Sequence, residues 1–295
     1  MNTAMLAFIR AIFSNASKIA PNVTARVAFR LFCTTFNVGK KSAQYQEILA
    51  RAEEQFSRAR HHTIRYSRGT ISAFEFNPKA QTDSSQTVLL VHGWQSHSRF
   101  MYKFVEPLQR QGFRVITIDL PGHGQSSGRL FHLPLAVEAM HAVRGKLGSA
   151  NIIISHSLGG AVVATSSAGT LQPYPAMNVS KLVLISSPDS MAKIFDDFAT
   201  MVGLNILATD ALRKNITRLS GLVAADFDVS TQLQQVQADI LLLHAPDDKE
   251  VPYSESEKIA QANETAILEP VEGLGHRRII ASDDVVQRAV QFLSN

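Results

Sequence analysis

The sequence is poor in cysteine and has no long apolar run. Its 295 residues include one cysteine, Cys33, which excludes an intrachain disulfide and a cysteine-rich metal site. We expect Cys33 to be a small buried apolar residue. No apolar stretch approaches the ~20 residues needed to cross a bilayer. Internal repeats and low-complexity tracts are lacking too, so the composition is that of an ordinary globular protein.

The N-terminus lacks the features of a secretory signal. It reads MNTAMLAFIRAIF, with no basic residue before the apolar part and with Arg10 inside it. We therefore expect a cytoplasmic protein. Residues 1–60 contain nine Lys/Arg and three Asp/Glu, a net charge of +6, whereas the whole chain carries +4, so residues 61–295 carry −2. Because no nucleic-acid-binding motif accompanies these cations, we expect no nucleic-acid partner.

Residues 1–60 are predicted to form a separate helical segment. An apolar stripe at helical spacing comprises Met5, Phe8, Ile9, Ile12 and Phe13, and a second helix is expected from Pro21, with Val23, Val27, Ala28, Leu31 and Phe32 on one side. One interpretation is a helix pair packed on the rest of the protein with its arginines in solvent. The alternative is a basic amphipathic anchor that places residues 1–40 on the inner face of an anionic membrane.

The remainder of the chain has the pattern of a parallel α/β sheet. Alternating apolar residues on both sides of Arg68-Gly69 predict a β-hairpin, and QTDSSQ follows as a polar linker. Continuous apolar strands then alternate with amphipathic helices; the strands are TVLLVHG, RVITIDL, NIIIS, KLVLISS, DILLLHA and TAILEPV. Such strands predict a mostly parallel sheet with helices on both faces, built from residues 61–188 and 239–295.

Residues 189–238 interrupt this alternation. They contain no strand pattern, but two apolar stripes at helical spacing comprise Met191, Ile194, Phe195, Phe198 and Val202, and then Leu212, Ile216 and Leu219. A structureless loop of this length is improbable, so we predict a helical insertion. Because it follows the carboxyl end of a strand, where open α/β sheets bind ligands, we expect it to act as a cap over the site.

The stretch IIISHSLGGA, residues 152–161, runs from a buried strand directly into a helix. Ser155-His156-Ser157-Leu158-Gly159 resembles the nucleophile elbow G-x-S-x-G, with Ser155 in place of the first glycine. Such an elbow exposes its central side chain, here Ser157, and requires small neighbours such as Gly159. The N–H groups at the start of the following helix favour negative charge beside the serine.

A serine nucleophile needs a base that is itself oriented by a carboxylate. Only His244 and His276 follow Ser157; His244 lies inside a strand, whereas His276 lies in the glycine-rich loop GLGH. The acid is expected just after DILLLHA, where Asp247 and Asp248 are both candidates. The sequence indicates no metal site and no cofactor.

Donors for an oxyanion are expected beside the elbow. The strand TVLLVHGW ends at His92-Gly93-Trp94, where Gly93 lets the backbone turn, and the backbone N–H groups of Trp94 and Leu158 are the candidates. His92 is expected to brace this loop by hydrogen bonding, with His156 among the supporting residues. The segment DLPGHGQS, residues 119–126, is interpreted as a structural turn.

Together, HGW, DLPGHGQSSG, SHSLGG, DDKEVP and GLGH resemble the α/β-hydrolase superfamily, and its small lipase, esterase and monoacylglycerol-lipase-like branch in particular, over residues 62–295. The resemblance implies that the acid is Asp248, because it precedes a short x-x-Val-Pro segment, with Asp247 second. It also implies that His276 is the base. Residues 1–60 lie outside the shared motifs.

These patterns predict a cofactor-independent serine hydrolase. We expect it to cleave a carboxylic ester, with a hydrophobic acyl group suggested by the apolar stripes of the insertion, through Ser157, His276 and Asp248. The same three residues acting on amide or C–C bonds, and a non-catalytic binding protein on this fold, are the alternatives. The oligomeric state is not indicated.

Overall fold

The structure is a computed structural model that describes residues 3–36, 43–79 and 86–294. The part of the predicted helical segment at 37–42 lies outside these residues. So does the predicted polar linker QTDSSQ, except for its last residue, Gln86.

Helices and strands alternate along most of the described chain. The α-helices are α1 (Thr3–Ile19), α2 (Pro21–Cys33), α3 (Ala43–Phe56), α4 (Tyr102–Arg110), α5 (Leu133–Leu147), α6 (Leu158–Ala168), α7 (Met191–Val202), α8 (Ile206–Ser220), α9 (Val229–Leu233), α10 (Tyr253–Ala262), α11 (Gly275–Arg278) and α12 (Asp283–Ser294). The strands are β1 (Arg60–Tyr66), β2 (Gly69–Phe76), β3 (Thr87–Val91), β4 (Arg114–Asp119), β5 (Ile152–His156), β6 (Lys181–Ile185), β7 (Asp239–His244) and β8 (Ala266–Pro270). No helix of the described ranges is both long and apolar enough to cross a membrane.

The strands form one mostly parallel sheet in the order β1-β2-β4-β3-β5-β6-β7-β8. The predicted hairpin is confirmed, because β1 pairs antiparallel with β2, which in turn pairs antiparallel with β4. Every other pairing is parallel. The carboxyl ends of β3, β5 and β7 therefore lie at one edge of the sheet, where candidate site residues follow each of them.

Helices cover both faces of the sheet, as predicted. Alternate strand residues point to opposite faces, and one face carries Leu90, Ile154 and Val183. These side chains belong to a buried cluster with residues of α3, α4 and α12, namely Ala52, Phe56, Phe104, Leu108, Val286 and Leu293. On the other face, α5 packs against β1 and β2, and α6 packs against β3 and β5. This double cover explains why the strands read as continuous apolar runs.

The chain divides into two compact units. The helical unit comprises residues up to Thr34 together with Ser190–Asp228, and it contains α1, α2, α7 and α8. The core unit comprises Thr35–Asp189 and Val229–Asn295, and it contains the sheet and the other helices, α3 among them. The predicted insertion is helical, and its helices share a unit with the first two helices of the chain.

The interior of the helical unit is built from all four of its helices. Its buried cluster comprises Phe13, Ala25, Ala28, Phe198, Ala199, Val202, Ala211 and Leu212. The ring of Phe32 lies 4.7 Å from that of Phe195 and 5.0 Å from that of Phe198, measured between centroids. The apolar stripe of the insertion thus packs largely inside its own unit. Small Ala25 and Ala28 let α2 and α8 approach each other closely.

The stripe predicted for α1 is only partly buried. Phe13 faces the interior, but Met5, Phe8 and Ile12 are exposed, and so are Val23 and Val27 on α2. The helical period of both stripes is confirmed. The residues of α1 and α2 that face the interior are Phe13 and the small Ala25 and Ala28.

Hydrogen bonds within the core unit join the two ends of the insertion, Asp189 and Val229, which we call its neck. The Val229 N–H donates to the carbonyl of Asp189 at 3.0 Å, and the Ser230 N–H donates to the Asp189 carboxylate at 2.8 Å. The Asp189 N–H in turn donates to buried Glu255 at 3.1 Å. The chain therefore leaves and rejoins the core unit at neighbouring points.

Candidate active site

Ser157 occupies a strained turn between β5 and α6. Its backbone has φ 53° and ψ −131°, a conformation that residues other than glycine rarely adopt and that clusters at functional sites. The turn is held by two hydrogen bonds. The Ser157 N–H donates to the carbonyl of Ile185 at 2.9 Å, and the Gly160 N–H donates to the carbonyl of Ser157 at 2.8 Å. The strand-to-helix elbow predicted from the sequence is thus present.

The elbow depends on missing side chains around it. A Cβ at Gly93 would lie 2.8 Å from the Cβ of Ser157, and one at Gly159 would lie 2.7 Å from the carbonyl oxygen of His92. Both distances are shorter than real contacts, so glycine is required at these positions. Ser155, the departure from the usual glycine, is fully buried. Glycine is also required at Gly160, where a Cβ would lie 2.1 Å from the hydroxyl of Ser187.

Ser157, His276 and Asp248 form one chain of hydrogen bonds. The Nε2 of His276 lies 3.0 Å from the Oγ of Ser157, and its Nδ1 lies 2.8 Å from Oδ2 of Asp248. The three residues follow β5, β8 and β7, and 119 positions separate the serine from the histidine. The structure thus brings together all three residues named from the sequence. With Nδ1–H bonded to the carboxylate, Nε2 is free to accept the serine proton.

Asp248 is held as an anion by a dense set of donors. Its Oδ1 accepts the N–H groups of Glu250 and Val251 at 2.8 and 2.9 Å, and its Oδ2 also lies 3.3 Å from Nε2 of buried His244. Burial of the carboxyl raises its pKa, but the hydrogen bonds from His244, His276 and Val251 outweigh burial. The pKa of Asp248 therefore lies well below its usual range.

The two adjacent carboxylates have different positions. Asp247 is exposed, and its Oδ1 accepts the Gly275 N–H at 3.3 Å, next to the candidate base but away from its ring. Arg277 adds a second link on the outside, a salt bridge to Glu250 at 2.7 Å. Only Asp248 faces the imidazole, whereas Asp247 and Glu250 connect the loop after β7 to α11.

His244 lies at the end of β7, as its strand context indicated, but its contact with Asp248 was missed. Its Nδ1 lies 2.7 Å from the hydroxyl of Ser256, and its Nε2 lies 3.0 Å from the carbonyl of Val251. Because Nε2 faces a carbonyl and a carboxylate, it carries the proton, and Nδ1 accepts from Ser256. The spacing of four residues between His244 and Asp248 is the only sequence signal for this contact.

Two neutral histidines brace the loop that contains Gly93 and Trp94. His92 donates from Nδ1 to the carbonyl of Gly93 at 2.7 Å, and its Nε2 accepts the Leu120 N–H at 3.0 Å. His123 donates to the carbonyl of Pro121, and its Nε2 accepts the Gln95 N–H at 3.0 Å. Burial lowers the pKa of both rings, that of His123 to about 4.

The turn at residues 119–126 supports this loop through hydrogen bonds. The fully buried Asp119 accepts the Ser98 N–H at 2.8 Å and the Gln125 N–H at 2.7 Å. The structural interpretation of this turn is confirmed, but the partners of His123 and Asp119 were not predicted. Two of these partners, the N–H groups of Gln95 and Ser98, lie on a loop distant in sequence, and sequence patterns do not show such contacts.

Gly93 brings the backbone before Trp94 close to Ser157. A Cβ on Gly93 would lie 3.3 Å from the Ser157 Oγ, so the backbone that leads into Trp94 runs past the hydroxyl. Leu158 is the first residue of α6 and follows Ser157 directly. The site carries the positive end of α6 on one side and a braced loop on the other. Among the described residues, no cluster of His, Cys, Asp or Glu could hold a metal ion.

His156 connects the elbow to the loop of the candidate base. Its Nε2 lies 2.9 Å from the carbonyl oxygen of His276, and the two ring centroids are 4.9 Å apart. Burial, and next the neighbouring His276 ring, lower the pKa of His156 to about 3. The ring is therefore neutral, and its Nε2–H donates to the carbonyl.

A profile of the alpha/beta hydrolase family matches residues 88–288, which include the elbow, the acid loop and His276. The chain belongs to this family. Its sequence is 24% identical over 253 residues to a monoacylglycerol lipase from Mycolicibacterium smegmatis, a match that covers 72% of this chain and 90% of the relative.

Solved structures show the same fold. A putative lipase from Acinetobacter baumannii superposes with a TM-score of 0.62 at 18% identity and covers 87% of this chain and 98% of its own. Est1E from Butyrivibrio proteoclasticus, solved with ferulic acid bound, superposes with a TM-score of 0.62 at 20% identity. The match covers 79% of this chain and 97% of Est1E. The α/β-hydrolase fold that the motifs implied is therefore confirmed.

Proposed function

We propose that this protein is a serine hydrolase that cleaves carboxylic esters through a covalent acyl-enzyme. The observation that carries the proposal is the continuous hydrogen-bonded chain from Asp248 through His276 to Ser157, with links of 2.8 and 3.0 Å. Ser157 is the nucleophile, His276 the general base and acid, and Asp248 the group that fixes the imidazole tautomer.

The first half-reaction transfers the acyl group to the enzyme. The Ser157 Oγ attacks the ester carbonyl carbon while His276 Nε2 takes the hydroxyl proton. The tetrahedral intermediate collapses when the bond to the leaving alcohol breaks, and His276 returns the proton to that alcohol. Asp248 stays ionised throughout, because its hydrogen bonds hold its pKa low and stabilise the imidazolium in each step.

The second half-reaction repeats these steps with water. His276 removes a proton from water, the hydroxide attacks the acyl carbon, and the Ser157 oxygen leaves with the proton. In both halves the developing oxyanion is stabilised by the backbone N–H groups of Trp94 and Leu158. Fixed donors of this kind each contribute roughly a hundred- to a thousandfold in kcat.

The proposed substrate is a small ester with a hydrophobic acyl group. Support comes from the sequence relative that is a monoacylglycerol lipase. The buried stripe of α7 and α8 does not carry this point, since its residues contact other helices of their own unit. We propose a preference for esters over amides, because no observation favours the harder bond.

The test is active-site labelling combined with an ester series. A fluorophosphonate probe should modify Ser157, and peptide mass mapping locates the label. p-Nitrophenyl esters of increasing acyl chain length form the ester series. Each ester should be hydrolysed faster than the anilide with the same acyl group. Replacing Ser157 with Ala should abolish labelling and lower kcat roughly a millionfold.

Ser155→Ala is the matched control, because this serine lies two residues away with its hydroxyl buried. It should keep both labelling and turnover. Labelling that persists in Ser157→Ala, or ester turnover that survives it, would rule out the mechanism. A chain-length series with no preference would remove only the statement about the acyl group.

A further inference from the structure

Exposed apolar side chains are concentrated in the helical unit. The highest exposed fractions among large hydrophobic residues are 87% for Ile19, 77% for Ile206, 66% for Phe8 and 63% for Leu207. All four belong to this unit, although the core unit is much the larger. Scattered exposed apolar residues are ordinary, but concentration in one part of a molecule marks an interaction surface.

Four exposed apolar residues lie on one face of α1. Met5, Phe8, Ile12 and Ile19 are separated by three, four and seven positions, a spacing that places them along one side of a helix. Phe13, on a different side, is buried in the interior of the unit. Helix α1 is therefore apolar toward both its packing partners and solvent.

Two further exposed apolar residues, Ile206 and Leu207, lie at the start of α8. The Asn205 side chain donates to the carbonyl of Ser17 at 2.9 Å, which fixes the start of α8 beside the end of α1. Ile206 and Leu207 follow Asn205 directly, and Ile19 lies two residues after Ser17. We call Met5, Phe8, Ile12 and Ile19 the apolar face of the helical unit.

The charge of α1 and α2 has a single sign. No Asp or Glu occurs before Glu47, whereas Arg10, Lys18, Arg26 and Arg30 are exposed on the two helices. None of these four cations forms an ion pair with any residue that the structure describes. On α7 and α8, by contrast, Lys193 and Arg213 are paired with carboxylates of the same two helices.

We propose that the helical unit docks on an anionic lipid surface through the apolar face and these four cations. Cations without an ion pair and exposed aliphatic and aromatic side chains, carried by the same unit, are what an interface of acyl chains and negative headgroups complements. A second copy of this chain would bring the same cations against one another, which disfavours self-association through this face. The proposal does not depend on the proposed ester hydrolysis.

Binding should respond separately to its two components. Each cation near an anionic surface contributes about fivefold to partitioning, so loss of two should weaken binding to anionic vesicles by ten- to thirtyfold. High salt should weaken it as well, because the screening length falls to about 3 Å at 1 M. Loss of apolar contacts should weaken binding to charged and neutral vesicles alike.

The experiment is co-sedimentation of the full-length protein with vesicles of ether-linked lipids, which contain no ester for the enzyme to cleave. Vesicles with about a third phosphatidylglycerol in phosphatidylcholine are compared with phosphatidylcholine alone. Arg26→Gln with Arg30→Gln should lose binding to the anionic vesicles only. Phe8→Ser with Ile12→Ser should lose binding to both.

Matched controls come from exposed residues of the core unit. Arg60→Gln with Arg65→Gln removes two exposed cations, and Ile267→Ser removes a side chain as exposed as Ile12. Both controls should bind within twofold of the native chain. Equal losses in controls and test variants would overturn the proposal, as would equal binding to both kinds of vesicle.

Sedimentation velocity without lipid tests the alternative that a second copy of the chain binds to this face. If the native chain dimerises, fails to bind vesicles, and becomes monomeric with Phe8→Ser and Ile12→Ser, the face is a self-association surface and the proposal is wrong. Thermal melting checks that each variant is folded. If the variant with Phe8→Ser and Ile12→Ser is unfolded, vesicle binding by the variant with Arg26→Gln and Arg30→Gln decides the result.

Discussion

The ring of His156 donates a hydrogen bond to the backbone carbonyl of His276, with 2.9 Å between Nε2 and the oxygen. The residue before the candidate nucleophile thus holds the loop that carries the candidate base. Because the ring is buried and its pKa is lowered to about 3, it is a neutral donor near neutral pH. His156 is therefore a positioning residue for the Ser157–His276 contact.

Replacing His156 with Leu removes that donor at similar volume. We expect kcat to fall roughly ten- to hundredfold with little change in KM, because a small displacement of a reacting group is costly. His156→Gln, whose side-chain N–H reaches about as far, should restore much of the loss. Steady-state kinetics decide the matter; a Leu variant with native kcat would show that the hydrogen bond has no role in positioning.

The neighbours Asp247 and Asp248 provide a matched pair. Asp248→Asn should lower kcat/KM roughly ten-thousandfold, because the amide favours the wrong imidazole tautomer. Asp247→Asn removes an exposed carboxylate that accepts only the Gly275 N–H, so its effect should stay below tenfold. Rates measured on one soluble ester suffice, and comparable losses in both variants would contradict the assignment of the acid.

Gly93 and Gly145 test the close approach at the elbow. Gly93→Ala places a methyl group 2.8 Å from the Ser157 Cβ and should lower kcat/KM at least about a hundredfold, with slower fluorophosphonate labelling. Gly145 lies near the end of α5 with open space around it. Gly145→Ala should leave activity unchanged and stabilise the fold by about 0.5–1 kcal/mol, measured by denaturant unfolding. Native activity in Gly93→Ala would refute the crowding argument.

His132 should make the fold sensitive to acid. Its Nδ1 caps α5 by accepting the Leu135 N–H at 3.2 Å, and burial, followed by the charge of Arg68, lowers its pKa to about 4. The unfolded chain, with a pKa near 6.5, binds more protons between these values. Stability should therefore fall as pH drops from 6.5 toward 4.

His132→Asn retains a capping oxygen but cannot titrate. We expect similar melting temperatures for the two proteins at pH 7.5, and a growing advantage for the Asn variant as pH falls below 6.5. Thermal melts across this range provide the measurement. Parallel curves would mean that His132 is not buried as a neutral group.

The sheet and the elbow were predictable because their signals are local. Continuous apolar runs identified six strands, and small residues around Ser157 identified the turn. Asp248 could not be distinguished from Asp247 by residue type alone. Its orientation depends on two backbone N–H groups, of Glu250 and Val251, that only the folded turn presents together.

The division of the N-terminal segment could not be read from the sequence. Ala52 and Phe56 on α3 pack in the core unit, whereas Ala25 and Ala28 on α2 pack against helices more than 150 positions later. An amphipathic stripe marks an apolar face but does not identify what that face packs against. The expectation that the insertion caps the site stays a prediction, as does the cytoplasmic location.

The hydrogen-bonded neck between Asp189 and Val229 has a consequence for how such chains diversify. Since the two ends of the excursion are fixed side by side, recombination can exchange the intervening residues for a shorter or longer stretch without disturbing strand pairing. In this chain an exchange of residues 190–228 alone would strip α1 and α2 of the surfaces they pack on. The two distant stretches therefore depend on each other for their buried interior.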